Sequence, residues 1–237
     1  MTNAIDISAQ TGADRSHVER RRAILAAHPE VRTLFVRDVA TFYITAGVFL
    51  LQTAIAAWLG WLGASYWWLT LIVAYCVGAF ANHAMFVIIH DSIHNTVFAS
   101  PTLNKFNAIL ADLPNGFPTA MGFRCYHIKH HSHLSAYDFD ADVPGAWEAR
   151  LVGNVWWRKA LWLFFFPVVQ LSRLSRLKGT VPFFSRWTVI NFLAIVAYAT
   201  ATTVVWVMYE YSQQYMTIST VLVGLLMIVG TTGVLAV

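Results

Sequence analysis

Residues 66–98 read YWWLTLIVAYCVGAFANHAMFVIIHDSIHNTVF, a long apolar run that contains the polar sequence HDSIH near its end. The pattern predicts one helix that continues to about Phe98 and stops before the Ser-Pro pair that follows, because a residue before proline avoids the helical conformation. Such a helix would be about 50 Å long, whereas the hydrocarbon core of a bilayer is about 30 Å thick. Its last turns must therefore project from the membrane. They present His90 and His94 on one face, since these residues are four apart.

The rest of the chain is also suited to a membrane. Of its 237 residues, 57% are hydrophobic and 12% are charged, and the mean hydropathy is +0.55. A spanning helix needs about 20 apolar residues, and four stretches reach this length: 39–62, 66–89, 187–208 and 215–237. Two further apolar stretches contain prolines and are expected to be interfacial or re-entrant: 107–123 and 160–171. We therefore predict an all-α integral membrane protein with about four transmembrane helices, interfacial or re-entrant helices and a cytosolic histidine-rich region.

The positive charges are confined to two regions. All 16 Lys and Arg residues either precede the first predicted span or lie within 105–186, between the second and third. Because Lys and Arg collect on the cytoplasmic side of short loops, both regions are predicted to face the cytosol. We accordingly divide the chain into a cytosolic N-terminal segment, residues 1–38, and a membrane domain, residues 39–237. The first segment is polar and lacks the apolar core of a signal peptide.

The net charge of +4 favours a membrane surface or an acidic protein as partner, and nucleic acid is not expected. Cys76 lies inside a predicted span and Cys125 on the cytosolic segment, so no disulfide is expected between them. The predicted location of the protein is the endoplasmic reticulum membrane in a eukaryote or the inner membrane in a bacterium.

A second histidine group occurs in CYHIKHHSHL, residues 125–134, which contains four of the nine histidines. His127 is three residues from His130 and four from His131, so the three imidazoles share one face of a helix. Neutral imidazole binds zinc, copper, iron and nickel, and no cysteine cluster favours a structural zinc site. In this chain the pattern HxxxH is expected about 0.3 times by chance and HxxHH about 0.01 times. The second motif is therefore the more specific metal signal.

Both groups also have an interpretation without a metal. His90 and His94 could hydrogen-bond lipid headgroups at the membrane interface. The HIKHH group could form a solvated basic patch together with Arg124 and Lys129.

The neighbouring polar residues are weaker candidates. His83 lies seven residues before His90, and a lone histidine in a span is more often a hydrogen-bonded core residue than a functional one. We retain His83 and Asp91 as candidates that orient the ligands. His133 breaks the spacing of HIKHH and is predicted to be only polar. The acidic residues that follow could orient imidazoles or form a solvated loop: Asp138, Asp140 and Asp142.

HDSIH at 90–94 and HIKHH at 127–131 resemble the first and second histidine boxes of the membrane fatty-acid desaturase superfamily. Within it the chain is most similar to the sphingolipid delta-4 desaturases. HVERRRAILAAHPEVRTLFVRD at 17–38 resembles the N-terminal signature of that family, and the resemblance extends to near the C-terminus. It includes Asn82-His83, LNKFNAILADLPNGFP at 103–118, FRCYHIKHH at 123–131 and DADVP at 140–144.

The resemblance implies a non-haem di-iron centre that uses O₂, and electrons from a redox protein, to remove hydrogens from a lipid chain. The implied metal ligands and catalytic residues are His90, His94, His127, His130 and His131. The implied reaction introduces a delta-4 double bond into dihydroceramide, with another acyl lipid as the alternative substrate. An acidic electron donor such as cytochrome b5 or a ferredoxin would suit the basic cytosolic face.

The chain departs from the family in one respect. Members continue into a third histidine box of HxxHH type, whereas this sequence has no histidine after His133. Five imidazoles are too few for two irons. The sequence is therefore expected to be a C-terminally truncated record, or a short form without activity.

Three other functions remain open at this point. A lipid hydroxylase would share the same histidine boxes. An intramembrane zinc protease is suggested by the likeness of HDSIH to HExxH, although Asp91 is shorter than the usual Glu and HIKHH would be unexplained. An inactive scaffold or assembly partner would account for the missing third box.

Overall fold

The computed structural model describes residues 11–178 and 185–212. Ten α-helices, short 3₁₀ segments and one π-helical turn form this part of the chain, and it contains no β-strand. The predicted all-α class is therefore confirmed for the described residues. The chain divides into two compact units: Met1–Val36 with Cys125–Pro182, and Arg37–Arg124 with Phe183–Val237.

The second of these units contains three helices that are long and apolar enough to cross a membrane. They are α2 (Ala40–Leu62), the continuous helix Trp67–Ile93, and Arg186–Tyr209 within α10 (Arg186–Ser212). The continuous helix consists of α3 (Trp67–Val73), a π-helical turn (Ala74–Gly78) and α4 (Ala79–Ile93). Three of the predicted spans are thus helices, and the fourth, 215–237, lies outside the described residues.

The second span ends earlier than the sequence predicts. A helix to about Phe98 was expected, but α4 ends at Ile93 and His94 is its C-terminal cap. Asn95 adopts a left-handed conformation with φ of 59°, and the backbone N–H and the hydroxyl of Thr96 both donate to the carbonyl of Asp91. These bonds satisfy a carbonyl that a further helical turn would have used. The 27-residue helix is about 40 Å long and still exceeds the bilayer core.

Residues 107–123, whose prolines were expected to interrupt a long helix, do not form one helix. The chain is non-α-helical between α5 (Pro101–Asp112) and α6 (Ala120–Ser132). The buried carboxyl of Asp112 accepts the N–H groups of Thr119 and Ala120 at 2.8 and 2.9 Å, together with the Thr119 hydroxyl. Asn191 of α10 donates to the same carboxyl at 2.8 Å. Burial raises the pKa of Asp112, and these hydrogen bonds oppose the shift. Asp112 therefore fixes the start of the helix that contains HIKHH.

The core of this unit lies where α4 packs against α5 and the start of α6. It consists of apolar side chains from all three helices: Met85, Ile88, Ile89, Ile93, Ala108, Ile109, Ala111, Ala120 and Met121. Between α2 and α4, Gln52 donates a buried hydrogen bond of 2.6 Å to Asn82. A pairing of this kind matters within a membrane because lipid offers no alternative partner.

The first unit contains shorter helices. They are α1 (Thr11–Ala27), α7 (Ala146–Val152), α8 (Trp156–Phe164) and α9 (Phe166–Leu174), with a 3₁₀ segment at Pro29–Leu34. The helices α8 and α9 have nine residues each, far fewer than a span needs. Large apolar side chains on them are exposed, among them Trp156, Leu163, Phe164 and Val168. Residues 160–171 thus lie in two helices that are each too short to span a membrane, and their interfacial or re-entrant position stays a prediction.

Gly60 allows α2 and α10 to approach closely. A methyl group added there would overlap the indole of Trp206, whereas one added at Gly47, in the same helix, would meet nothing within 4 Å. We expect Gly60→Ala to lower stability by about 1–3 kcal/mol, because the packed indole must move. Gly47→Ala should be neutral or slightly stabilising, since alanine favours a helix more than glycine does. Thermal unfolding of the purified protein in detergent measures both.

Adding Trp206→Leu to Gly60→Ala should restore part of the lost stability, because the smaller side chain leaves room for the methyl group. A Gly60→Ala protein as stable as Gly47→Ala would show that the close approach of α2 and α10 is not important.

Candidate metal centre

The first histidine pair lies at the end of α4. The rings of His90 and His94 have their centroids 4.7 Å apart in an edge-to-face arrangement. Nδ1 of His90 is 3.2 Å from Oδ1 of Asp91, a contact that orients the ring. Because Asp91 also accepts both bonds from Thr96 through its carbonyl, the same residue ends the helix and orients the imidazole.

The second group occupies the last turns of α6, as predicted. The Nε2 atoms of His127 and His131 are 2.9 Å apart, and the two rings meet edge to face. Two imidazole nitrogens bound to one metal ion at about 2.1 Å would be roughly 3.0–3.4 Å apart. The spacing of these two atoms therefore fits a shared ion with little movement.

The third member of HIKHH, His130, has a different environment. Its Nδ1 is 2.8 Å from Oδ1 of buried Asp140 and 3.3 Å from Oδ2 of Asp142. A carboxylate at Nδ1 favours a proton there and leaves Nε2 as the free donor to a metal. His130 can therefore bind an ion through Nε2 while the acidic loop fixes its ring.

The loop that holds His130 is itself ordered by hydrogen bonds. Asp140 accepts the N–H groups of Ser135 and Asp142, both at 2.8 Å. Arg176 donates to the carbonyls of Tyr137, Asp140 and Val143, and its guanidinium stacks 4.1 Å from the centre of the Tyr137 ring. These bonds fix the loop backbone on both sides of the carboxylate that contacts His130.

The buried ion pair between Arg173 and Glu148 is also hydrogen-bonded to this loop. Arg173 donates to both carboxylate oxygens of Glu148, at 2.9 and 2.6 Å, and to the carbonyls of Ala141 and Asp142. Burial by itself raises the pKa of Glu148. The hydrogen bonds from Arg173, the Gly145 N–H and Trp162, with the charge of Arg173, outweigh it and hold the pKa below its ordinary value. Glu148 is therefore ionised at neutral pH.

The remaining candidates lie away from these contacts. His83 is exposed on α4, so it is not the buried core histidine that the sequence suggested as the commoner case. The ring of His133 contacts the Ser132 hydroxyl and lies beside Phe139, which agrees with a merely polar role. Asp138 pairs with Lys178 at 2.7 Å, and both are exposed.

Sequence reasoning missed Glu148, Arg173 and Arg176. Glu148 and Arg173 are 25 residues apart and belong to no local motif, so periodicity could not pair them. One signal was available: two arginines three residues apart, in a segment that follows an acidic loop, indicate that the loop has partners.

Residues 65–236 match the sequence model of the fatty acid desaturase family, and residues 11–40 match that of sphingolipid Delta4-desaturase. No solved structure matches the chain.

Similar proteins occur in plants, fungi and animals. The chain is 37% identical to a sphingolipid delta(4)-desaturase DES1-like protein of Arabidopsis thaliana, over 76% of this chain and 52% of the relative. It is 35% identical to a sphingolipid delta(4)-desaturase of Candida albicans, over 72% and 46%. With a sphingolipid delta(4)-desaturase/C4-monooxygenase DES2 of Bos taurus the identity is 37%, over 68% and 49%. The chain thus spans about half the length of the curated relatives it matches.

Replacing Glu148 with glutamine should lower the stability of the protein by about 3–5 kcal/mol, because it leaves the Arg173 guanidinium buried without a counter-charge. The effect should depend on pH. The pKa of Glu148 is lower in the folded state, so its contribution is complete above the ordinary value of 4.5 and is lost as the pH falls through the folded-state pKa. Thermal unfolding of both proteins between neutral and acidic pH measures the difference.

The control is Asp138→Asn, which breaks the exposed pair with Lys178 in the same unit and should cost under about 1 kcal/mol. Equal losses for Glu148→Gln and Asp138→Asn would contradict a supporting role for the buried pair.

Proposed function

The chain belongs to the fatty acid desaturase family, and on that premise we propose that the complete protein desaturates the sphingoid base of a dihydroceramide at the delta-4 position. The observation that carries the proposal is the donor set itself: histidine pairs with their rings in contact, HDSIH at the end of a membrane helix and HIKHH on α6. The match of residues 11–40 to the sphingolipid Delta4-desaturase model supports a sphingolipid over another acyl lipid.

In this reaction one hydrogen leaves each of two adjacent methylene carbons and a double bond forms between them. O₂ accepts the two hydrogens, two electrons from a redox protein and two protons, and two molecules of water are released. The protein must hold the methylenes beside the oxidant and exclude other reductants, since the C–H bonds are unactivated.

The residues proposed to hold iron are His90, His94, His127, His130 and His131. The 2.9 Å spacing of the His127 and His131 Nε2 atoms supports their sharing one ion. Bound iron would supply the activation of O₂ that side chains alone cannot provide. The protein's own part is orientation: Asp91 contacts Nδ1 of His90 and Asp140 contacts Nδ1 of His130, and each carboxylate fixes the direction of the imidazole ring.

The proposed orientation puts the N-terminus and residues 90–186 in the cytosol, because all Lys and Arg residues lie in these regions. The membrane would be that of the endoplasmic reticulum in a eukaryote or the inner membrane of a bacterium. An acidic redox protein such as cytochrome b5 or a ferredoxin would be attracted to this basic face, and added salt should slow its encounter.

Hydroxylation is the second candidate, and the names of the relatives favour it. The bovine protein is named for both delta(4)-desaturase and C4-monooxygenase activity. A hydroxylase would place one oxygen atom in the lipid and release the other as water. Both products can be distinguished by mass.

The test is to express the complete protein in a host that makes dihydroceramide without desaturating it, and to measure ceramide and hydroxylated product by mass spectrometry. We expect ceramide from the unmodified protein and none from an alanine variant of any of the five histidines. Asp140→Asn should reduce iron content or turnover by about 10–100-fold, since it removes the carboxylate that orients His130. His133→Ala should retain activity.

Asp138→Asn is the matched control for Asp140→Asn, because it changes an exposed acid in the same loop. Full iron content and turnover in His130→Ala would remove that residue from the metal site. Desaturation of fatty acids but never of dihydroceramide would overturn the substrate.

Membrane orientation can be tested with Ser172→Cys and Ser65→Cys, two exposed serines, in a background without Cys76 and Cys125. An impermeant maleimide should label the first only from the cytosolic side and the second only from the opposite side. Labelling of both positions from the same side would contradict the proposed topology.

A further inference from the structure

Two cations in the second unit contact one tryptophan, and a third cation lies near one of them. Nζ of Lys105, on α5, is 4.8 Å from the centre of the Trp187 ring, and the guanidinium carbon of Arg186 is 5.7 Å from it. Phe106 packs against the same ring edge to face, with centroids 5.3 Å apart. Arg124, on α6, lies close enough for its charge to act on Lys105. Helices α5, α6 and α10 each contribute one cation.

Among the side chains that the structure describes, no carboxylate lies within 4.0 Å of any of the three cations. Partial burial lowers the pKa of Lys105, and the charges of Arg124 and Arg186 lower it further. Like charges brought together in this way repel one another, and a bound anion would relieve that repulsion.

The position of the cluster indicates which anion. Arg186 and Trp187 are the first residues of a membrane-spanning helix, so they lie at a membrane interface whichever way the chain is oriented. Beyond them α10 exposes an apolar face with the spacing of successive turns: Val189, Phe192, Leu193 and Val196. A cationic cluster directly above such a face suits a molecule with an anionic head and an acyl chain.

We propose that Lys105, Arg124 and Arg186 bind the phosphate of an anionic phospholipid whose acyl chain lies along the exposed face of α10. The three cations are not among the residues proposed to hold iron, and the proposal does not depend on the proposed reaction. Trp187 positions the Lys105 and Arg186 side chains through contacts with its ring. The phosphate of the lipid neutralises their positive charges. An acidic protein would bind the cations but would leave the apolar face of α10 uncovered, whereas a phospholipid would contact both.

The test uses the complete protein, delipidated in a neutral detergent and titrated with phosphatidylglycerol or phosphatidylcholine, with bound lipid measured by native mass spectrometry. We expect phosphatidylglycerol to bind more tightly. The triple variant Lys105→Gln, Arg124→Gln, Arg186→Gln should bind it about 10–100-fold more weakly. The control, Arg20→Gln, Arg21→Gln, Arg22→Gln, removes the same charge from exposed positions on α1 and should bind normally.

Lys105→Arg should also retain binding, because it keeps the charge. If the triple variant does not fold, Arg186→Gln alone carries the test, with an expected loss of about fivefold. Equal affinity for the two lipids, or unchanged binding by these variants, would overturn the proposal. Competition by glycerol 3-phosphate at lipid-like concentrations would show that the site recognises a soluble phosphate. Displacement of bound phosphatidylglycerol by an acidic redox protein would assign the cluster to that protein instead.

Discussion

A hydrocarbon layer about 30 Å thick is the constraint on which this structure depends. It requires each crossing segment to satisfy its backbone hydrogen bonds internally, and so it imposes helices at α2, at α3 to α4 and at α10. The helix Trp67–Ile93 is about 40 Å long and exceeds that thickness. In the orientation proposed above, the excess places His90 outside the apolar layer, where a polar side chain would be costly. The length of the helix would then separate the part that crosses the membrane from the part proposed to hold iron.

The unit that contains HIKHH is stabilised by a buried ion pair, whereas the unit that contains α4 and α5 is stabilised by an apolar core. The Arg173–Glu148 pair is almost fully buried, with 4% and 2% of the two side chains exposed. A buried pair is a stable arrangement only when its remaining donors are also satisfied. Arg173 meets this condition by donating to loop carbonyls, and Glu148 by accepting from Gly145 and Trp162. The backbone of the loop that contacts His130 is therefore held by the hydrogen bonds that Arg173 of the ion pair donates to it.

The sequence was sufficient for features that depend on short-range regularity. Apolar length predicted the described spans, and the spacing in HIKHH predicted that its imidazoles share a helix face. It failed at the end of α4, because the Asp91 to Thr96 bonds and the Asn95 conformation depend on side-chain capping that hydrophobic periodicity does not encode. The sequence also did not show that Glu148 pairs with Arg173. Nor did it show that Asp140, and not Asp138, contacts His130, because both contacts depend on tertiary packing. Its candidate His83 proved to be exposed, because apolar neighbours in sequence do not reveal which face of a membrane helix meets lipid.

The π-helical turn at Ala74–Gly78 has a consequence for how this protein could change over evolution. A π turn accommodates one extra residue within an α-helix, so the segments on either side keep their alignment and are not rotated by the about 100° that an extra residue in regular α-helix would add. Loss of a single codon from this turn would restore regular α-helical bonding while keeping the faces of α3 and α4 in their present alignment. A one-residue deletion elsewhere in the same span would instead rotate His90 and His94 away from their present direction. The turn is therefore the one place in the helix where such a deletion leaves the two histidines aligned.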